Sequence, residues 1–154
     1  MKSLNDIGIL GLSNRLKRLS EIIHRQTDEV YKTENINFQA RNVPLMQLLN
    51  ENESMSVTQL AEMLGQTHPA ISQMSKKLQQ ADLLYHQIDG GDERRRMLSI
   101  TPVGFELMDQ LAPVLKDLQI VLGRLLALAG GNIMDNVELL ERQLEQKPLV
   151  ERMS

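Results

Sequence analysis

The sequence contains no cysteine and no tryptophan, and only 3% of its residues are aromatic. The absence of cysteine excludes disulfides, thiolate metal sites and redox sensing through a thiol. The core must therefore be packed from aliphatic side chains and nine methionines. No apolar stretch approaches 18 residues and the N-terminus has no apolar core, so neither a membrane span nor a signal peptide is predicted. These absences predict a soluble cytoplasmic protein.

The sequence also lacks the arrangements that catalysis requires. None of its three histidines lies in a motif with a nucleophile, and Gly90-Gly91 fits a turn better than a phosphate-binding loop. His24 and Asp28 are one helical turn apart, but two ligands are too few for zinc, which usually takes four. We therefore expect no catalytic residue, no metal site and no cofactor, and we expect that the protein is not an enzyme.

The charge of the chain is small and unevenly distributed. Its net value of −3 argues against a protein that coats nucleic acid without specificity. Residues 66–96 hold five basic and four acidic residues, whereas residues 97–154 hold five basic and eight acidic residues. The weak basic surplus in the middle predicts modest nonspecific affinity for DNA that salt would reduce strongly.

Residues 56–101 carry the strongest local signals, beginning with two capped helices. Ser56 and Gln59 form a capping-box pattern, and Gly65 follows the first helix, where a positive φ is needed. Thr67 is the N-cap candidate of the second helix and Pro69 lies in its first turn. We expect the second helix to bury Ala70, Ile71, Met74, Leu78 and Ala81. Two short capped helices joined by a few residues are typical of a helix-turn-helix.

The polar side chains of the second helix suit a DNA groove. Hydroxyl and amide groups can read base edges, and lysine and threonine can reach phosphates. An ordinary solvated helix face is the alternative, but the order of capped helix, turn, helix and hairpin favours DNA. The predicted DNA-binding residues in this segment are Thr67, His68, Ser72, Gln73, Ser75 and Lys76.

A strand, a basic turn and a return strand follow, and they predict a wing. The first strand runs from Leu84 to Ile88, and the return strand starts at Met97. Between them we predict DNA contacts from Arg94, Arg95 and Arg96, with Arg94 entering the minor groove and the others on phosphate or on an acid. Strand alternation prevents all three from pointing one way, and a solvated charge run is the alternative. Asp89 and Asp92 are predicted to structure the wing.

The flanking segments predict four helices, over 5–32, from about Arg41 to Asn50, from Pro102 to Gly130, and over 133–146. The first could start nearer Ser13, because glycines weaken its first turns. Pro113 should bend the third of these. The fold class is therefore mainly α with a small β-hairpin wing. Residues 36–101 would form a DNA-binding lobe. Residues 1–35 and 102–154 would form a helical lobe whose wide leucine stripes a homodimer would bury.

Two segments resemble the MarR (multiple antibiotic resistance regulator) family: SVTQLAEMLGQTHPAISQMSKKL over 56–78 and DGGDERRRMLSITPVG over 89–104. Asp89, Asp92, Arg94, Thr101 and Gly104 match the family's wing pattern, while Glu93 and Asp82 depart from it. The outer pieces LSNRLKRLS and FQARNVPL resemble a subgroup fused to a GNAT-type acetyltransferase, although nothing in these residues resembles that enzyme. The resemblance implies a triangular homodimer and a small-molecule effector held between the lobes.

The function we expect is a sequence-specific transcriptional regulator that binds a pseudo-palindromic DNA operator as a homodimer. A repressor released by a small-molecule effector is the expected form. The alternative is a winged-helix protein-interaction module with weak or no DNA binding, working beside a separate acetyltransferase. Glu93 and the acidic balance motivate this alternative.

Overall fold

The fold is described from a computed structural model, which describes residues 4–88 and 96–153. A 3-10 helix (Leu4–Gly11) precedes the first α-helix, and a second one (Ala40–Asn42) precedes the second. Among the described residues, no helix has the length and apolar character needed to cross a bilayer. The elements in chain order are α1 (Leu12–Thr33), α2 (Val43–Asn52), β1 (Met55–Ser56), α3 (Val57–Leu64), α4 (His68–Gln80), β2 (Leu84–Ile88), β3 (Arg96–Ile100), α5 (Pro102–Leu128), α6 (Ile133–Gln146) and α7 (Leu149–Arg152).

The first α-helix begins at Leu12, close to the later of the two predicted starts. Gly8 has φ 65 and ψ −137, which no right-handed helix accommodates. The preceding residues therefore form a 3-10 helix interrupted at this glycine, and the helix predicted from residue 5 is wrong over its first two turns.

The three strands form one antiparallel sheet in the order β1-β3-β2. In it, Leu98 of β3 lies opposite both Met55 and His86. Strand β1 was not predicted, because it consists only of Met55 and Ser56, and Ser56 is also the N-cap of α3. The inner face of the sheet joins the core of the winged-helix segment. The fully buried side chains there are Leu45, Met46, Leu49, Leu60, Ile71 and Leu98.

Thr101 and Gly104 fix the start of α5 to residues 82–83, immediately before β2. The Thr101 hydroxyl donates to the Asp82 carbonyl at 2.5 Å and accepts from the Gly104 amide at 3.0 Å. A Cβ at Gly104 would overlap the Leu83 carbonyl oxygen, so only glycine fits there. Asp82 itself has φ 58, a left-handed conformation that is uncommon for residues other than glycine.

The chain divides into two compact units, Met1–Ala112 and Pro113–Ser154. The first contains the winged-helix segment and its core. In the described part of the second, residues 113–153, no residue is buried, although leucine is frequent. The helical and DNA-binding lobes expected from the sequence stay a prediction.

Candidate nucleic-acid interface

The turn between α3 and α4 is built by the local signals expected from the sequence. The Ser56 hydroxyl accepts from the Gln59 amide at 3.2 Å, and the Gln59 side chain accepts from the Ser56 amide at 2.8 Å. Gly65 ends α3 with φ 60 and ψ 31. The Thr67 hydroxyl then caps α4 by accepting from the Ala70 amide at 3.3 Å. The predicted capping box, glycine stop and threonine cap are confirmed.

The exposed face of α4 carries most of the predicted reading residues. His68, Ser72, Gln73 and Lys76 are all exposed. Thr67 is also exposed, but its hydroxyl oxygen already accepts the capping hydrogen bond. These side chains present hydroxyl, amide, imidazole and ammonium groups to one side of the helix.

The prediction that Ser75 contacts DNA is wrong. Ser75 was predicted on the exposed face but is only 2% exposed, and its hydroxyl donates to the Ile71 carbonyl at 2.7 Å. Ile71, Ser75 and Leu78 follow each other at four- and three-residue steps, so they share the inward face of the helix. The bond to Ile71 satisfies the buried hydroxyl, which leaves Ser75 unable to reach DNA. Ala70 and Ala81, expected to be buried, are exposed.

Lys77 is an exposed basic residue that the sequence interpretation left out. With Gln73 and Met74 it lines a cavity of about 530 Å³ beside α4, whose opposite wall is the segment 37–42. No local motif marks this cavity. The sequence indicates a role for Lys77 only through its position next to Lys76. Which way Lys77 points can be predicted only once the buried face of the helix is known.

The wing is described only in its strands. β2 and β3 pair over five residues, from Leu84 opposite Ile100 to Ile88 opposite Arg96. The predicted strand and return strand are thereby confirmed, with the return strand starting one residue early. Arg94, Arg95, Asp89 and Asp92 lie outside the described residues, and for Arg96 only the backbone is described.

The segment that enters α2 is attached to α1 by two carboxylates. An oxygen of Asp28 accepts from the Ala40 amide at 2.6 Å, and Glu21 lies 3.6 Å from the Arg41 guanidinium. Burial, with a smaller contribution from Asp28, raises the pKa of Tyr31 to about 12. Over the described ranges no three His, Cys, Asp or Glu side chains group as metal ligands.

Residues 39–95, which run from the start of α2 through the helix-turn-helix and into the wing, match the model of the MarR family. Over this segment of the 154-residue chain the protein is similar to the MarR family. No curated protein matches the sequence. The acetyltransferase-fused subgroup therefore stays an interpretation of the sequence.

The similarity to solved structures extends well beyond residues 39–95. A MarR/EmrR family transcriptional regulator from Acinetobacter sp. ADP1 is 18% identical, with 88% of this chain and 93% of that chain covered and a TM-score of 0.68. The MepR–DNA complex of S. aureus is 17% identical, with 88% of this chain and 98% of that chain covered and a TM-score of 0.69. BldR of Sulfolobus solfataricus is 20% identical, with 95% of this chain and 99% of that chain covered and a TM-score of 0.64. At these identities the likeness shows the MarR fold over most of the chain.

Proposed function

We propose that this protein is a transcriptional repressor of the MarR family that binds specific DNA sequences as a homodimer. The observation that carries the proposal is α4, a helix capped by Thr67 within a winged-helix segment, with Gln73 and Lys76 exposed on its outer face. A helix of this size enters the major groove, where an amide can pair with adenine and a lysine can reach guanine or phosphate. A MepR relative of the same fold is described in complex with DNA.

Different residues would supply specificity and affinity. Gln73, Ser72 and His68 are proposed to read base edges, because their groups donate and accept hydrogen bonds. Lys76 and Thr67 are proposed to hold phosphates, as is Arg95 or Arg96 of the wing, which positions the protein without reading sequence. Arg94 is proposed to enter the minor groove.

The partner in the proposed dimer is a second copy of the chain. Leu12, Leu16, Leu19 and Ile23 form an exposed apolar stripe along α1, and residues 113–153 have no buried side chain of their own. These side chains are already more than half buried, so each one that a partner covers contributes roughly 1 kcal/mol, and several such contacts together offset the cost of association. Residues 1–35 and 102–154 are proposed as the dimerisation lobe.

A small-molecule effector would regulate this repressor. NadR, a protein of the same fold at 21% identity, is described in complex with 4-hydroxyphenylacetate. An effector releases DNA only if it binds the DNA-free conformation more tightly than the DNA-bound one.

A fluorescence-anisotropy titration on DNA from the protein's own promoter region tests the DNA proposal. Gln73→Ala should cost roughly 1–3 kcal/mol on the best site and relax base preference, whereas Lys76→Ala should weaken all sequences alike and lower the salt slope by about one. Lys32→Ala, an exposed lysine at the end of α1, is the matched control. Salt-insensitive or absent binding would instead favour a protein-interaction module.

Sedimentation at micromolar concentration tests the dimer. The wild type should have twice the mass of one chain, and Leu125→Glu should shift it toward the monomer because a charge replaces an exposed leucine of α5. Gln119→Glu, an exposed polar position on the same helix, should leave the mass unchanged. A monomeric wild type would refute the proposed assembly.

A further inference from the structure

Helix α1 has two faces of different character. Its exposed apolar stripe consists of Leu12, Leu16, Leu19 and Ile23. Asp28 and Glu21 lie about 160° and 180° around the helix from Leu12, at about 100° per residue. Both carboxylates bind the segment that enters α2, Asp28 through the Ala40 amide and Glu21 through Arg41. The side of α1 proposed to meet a partner is therefore opposite the side that holds the winged-helix segment.

A continuous series of packed elements leads from this second face of α1 to α4. Helix α1 packs against the 3-10 helix Ala40–Asn42, which packs against α2; α2 packs against α3, and α3 packs against α4. The segment between α1 and the 3-10 helix is anchored, because the side chains of Tyr31, Ile36 and Phe38 are buried. A change in the way α1 holds Ala40–Asn42 can therefore reach α4 through packed elements.

Asp28 supplies the directional bond at this contact. Its carboxylate accepts from the Ala40 amide at 2.6 Å, a short bond between partly buried groups that the negative charge strengthens. Burial of apolar side chains favours no particular angle, whereas a hydrogen bond weakens steeply as it departs from linearity. The ion pair of Glu21 and Arg41, at 3.6 Å, joins side chains that are about half exposed, so water screens it. Of the two bonds, the one made by Asp28 therefore restrains the angle between α1 and the 3-10 helix.

We propose that Asp28 is a positioning residue for DNA binding. By holding Ala40 it sets the angle at which each α1 carries its winged-helix segment, and with it the spacing of the two α4 helices in the dimer. Two half-sites one helical turn apart tolerate little error, because one added base pair moves a half-site by about 3.4 Å and turns it by about 35°. The inference rests on the proposed homodimeric DNA binding and assigns to Asp28 the choice of half-site spacing.

Anisotropy titrations on three DNAs test this role: the best site selected from a random pool, and the same site with one base pair added or removed between its half-sites. Asp28→Ala should lose about tenfold in affinity on the best site, the typical effect of losing one charge-assisted hydrogen bond. It should lose less than about threefold on the altered sites, because a less restrained angle accommodates other spacings. Glu29→Ala, an exposed neighbour with the same change of charge, should bind all three DNAs as the wild type does. An equal loss on all three DNAs, or no loss, would overturn the positioning role.

Two further variants act on the same bond. Asp28→Asn keeps an oxygen that can accept from the Ala40 amide, so it should recover most of the affinity and the spacing preference. Ala40→Pro removes the donor instead and provides the same measurement should Asp28→Ala not fold. The preceding residue, Gln39, has φ −106 and ψ 131, the extended conformation required before proline. Ala40→Pro should reproduce Asp28→Ala, and the double variant should lose no more than either single one. Additive losses would mean that Asp28 does not act through Ala40 and would overturn the assignment.

The restraint on the angle can be measured without DNA. Because the chain has no cysteine, spin labels attach only at introduced ones, placed at the exposed positions Asn14 of α1 and Gln80 of α4. Dipolar electron paramagnetic resonance of labelled chains, diluted in excess unlabelled protein, reports the distance between the two labels within one chain. Asp28→Ala should widen the distribution of that distance, and Glu29→Ala should not. An unchanged width in Asp28→Ala would overturn the restraint, whereas a wild type with a narrow distribution that binds no DNA would refute the proposed function instead.

Discussion

Replacing Gly104 with alanine should destabilise the winged-helix segment, because the added Cβ has no space. It would lie 2.6 Å from Ile100 Cγ2 and closer still to the Leu83 carbonyl oxygen. That carbonyl cannot move freely, since it accepts from the Thr101 amide at 3.1 Å. Overpacking costs up to about 3 kcal/mol, while alanine recovers about 1 kcal/mol of helix propensity over glycine. The expected net loss is about 2 kcal/mol in the free energy of unfolding.

Gly123 of the same helix provides the opposite case. A Cβ there meets nothing within 4 Å, and Gly123 shares a face with Lys116 and Gln119, away from the apolar stripe that contains Val121. Gly123→Ala should therefore stabilise the protein by roughly 0.5–1 kcal/mol, the helix propensity alone. Two substitutions of the same type on one helix should have opposite signs.

Urea denaturation followed by circular dichroism measures both variants. All samples need the same protein concentration, because dimerisation would make the apparent stability concentration-dependent. The reasoning is refuted if Gly104→Ala unfolds at the wild-type urea midpoint or above it with an unchanged slope. Such a result would mean that Leu83 and Ile100 can yield at little cost.

Three further predictions concern single side chains. Ser75→Ala should leave DNA affinity unchanged and alter stability by less than about 1 kcal/mol, because its hydroxyl serves only Ile71. The pKa of Tyr31 is about 12 in the folded protein and 10 in the unfolded chain. The stability that this difference contributes is complete below pH 10 and should be lost between pH 10 and 12. Tyr31→Phe should abolish this pH dependence of the free energy of unfolding. Asp82→Gly should stabilise by up to about 1 kcal/mol in thermal unfolding, because φ 58 strains any side chain.

The helix-turn-helix could be predicted from the sequence because each of its signals acts within a few residues. Ser56 and Gln59 cap each other across three positions, and Thr67 caps α4 across the same distance. Gly65 is needed for a backbone conformation that neighbouring residues alone determine. Such features require no knowledge of what the helices pack against.

Features that depend on tertiary contacts could not be predicted in this way. Strand β1 exists only because Met55 and Ser56 lie opposite Leu98 and Met97 of β3. The cavity forms between the segment 37–42 and α4, which are distant in sequence. The 3-10 start of the chain depends on the φ of one glycine, which the sequence permits but does not require.

The burial of Ser75 changes which residues of α4 face outward. The buried stripe expected from the sequence includes Ala70 and Ala81, and the side of the helix opposite that stripe lies between Ser72 and Lys76. The stripe that is actually buried contains Ile71, Ser75 and Leu78. At about 100° per residue, the outward side of the helix is therefore rotated by about 60° from the expected one.

This rotation makes Gln73 the most outward of the proposed readers and moves Ser72 to the flank. Gln73→Ala should therefore reduce discrimination between the best DNA site and a scrambled site more than Ser72→Ala does. Anisotropy titrations of both variants on both DNAs measure the difference. A larger loss for Ser72→Ala would mean that the groove is approached from the His68 flank. The burial pattern of α4 in the protein without DNA would then not predict how the helix docks in the groove.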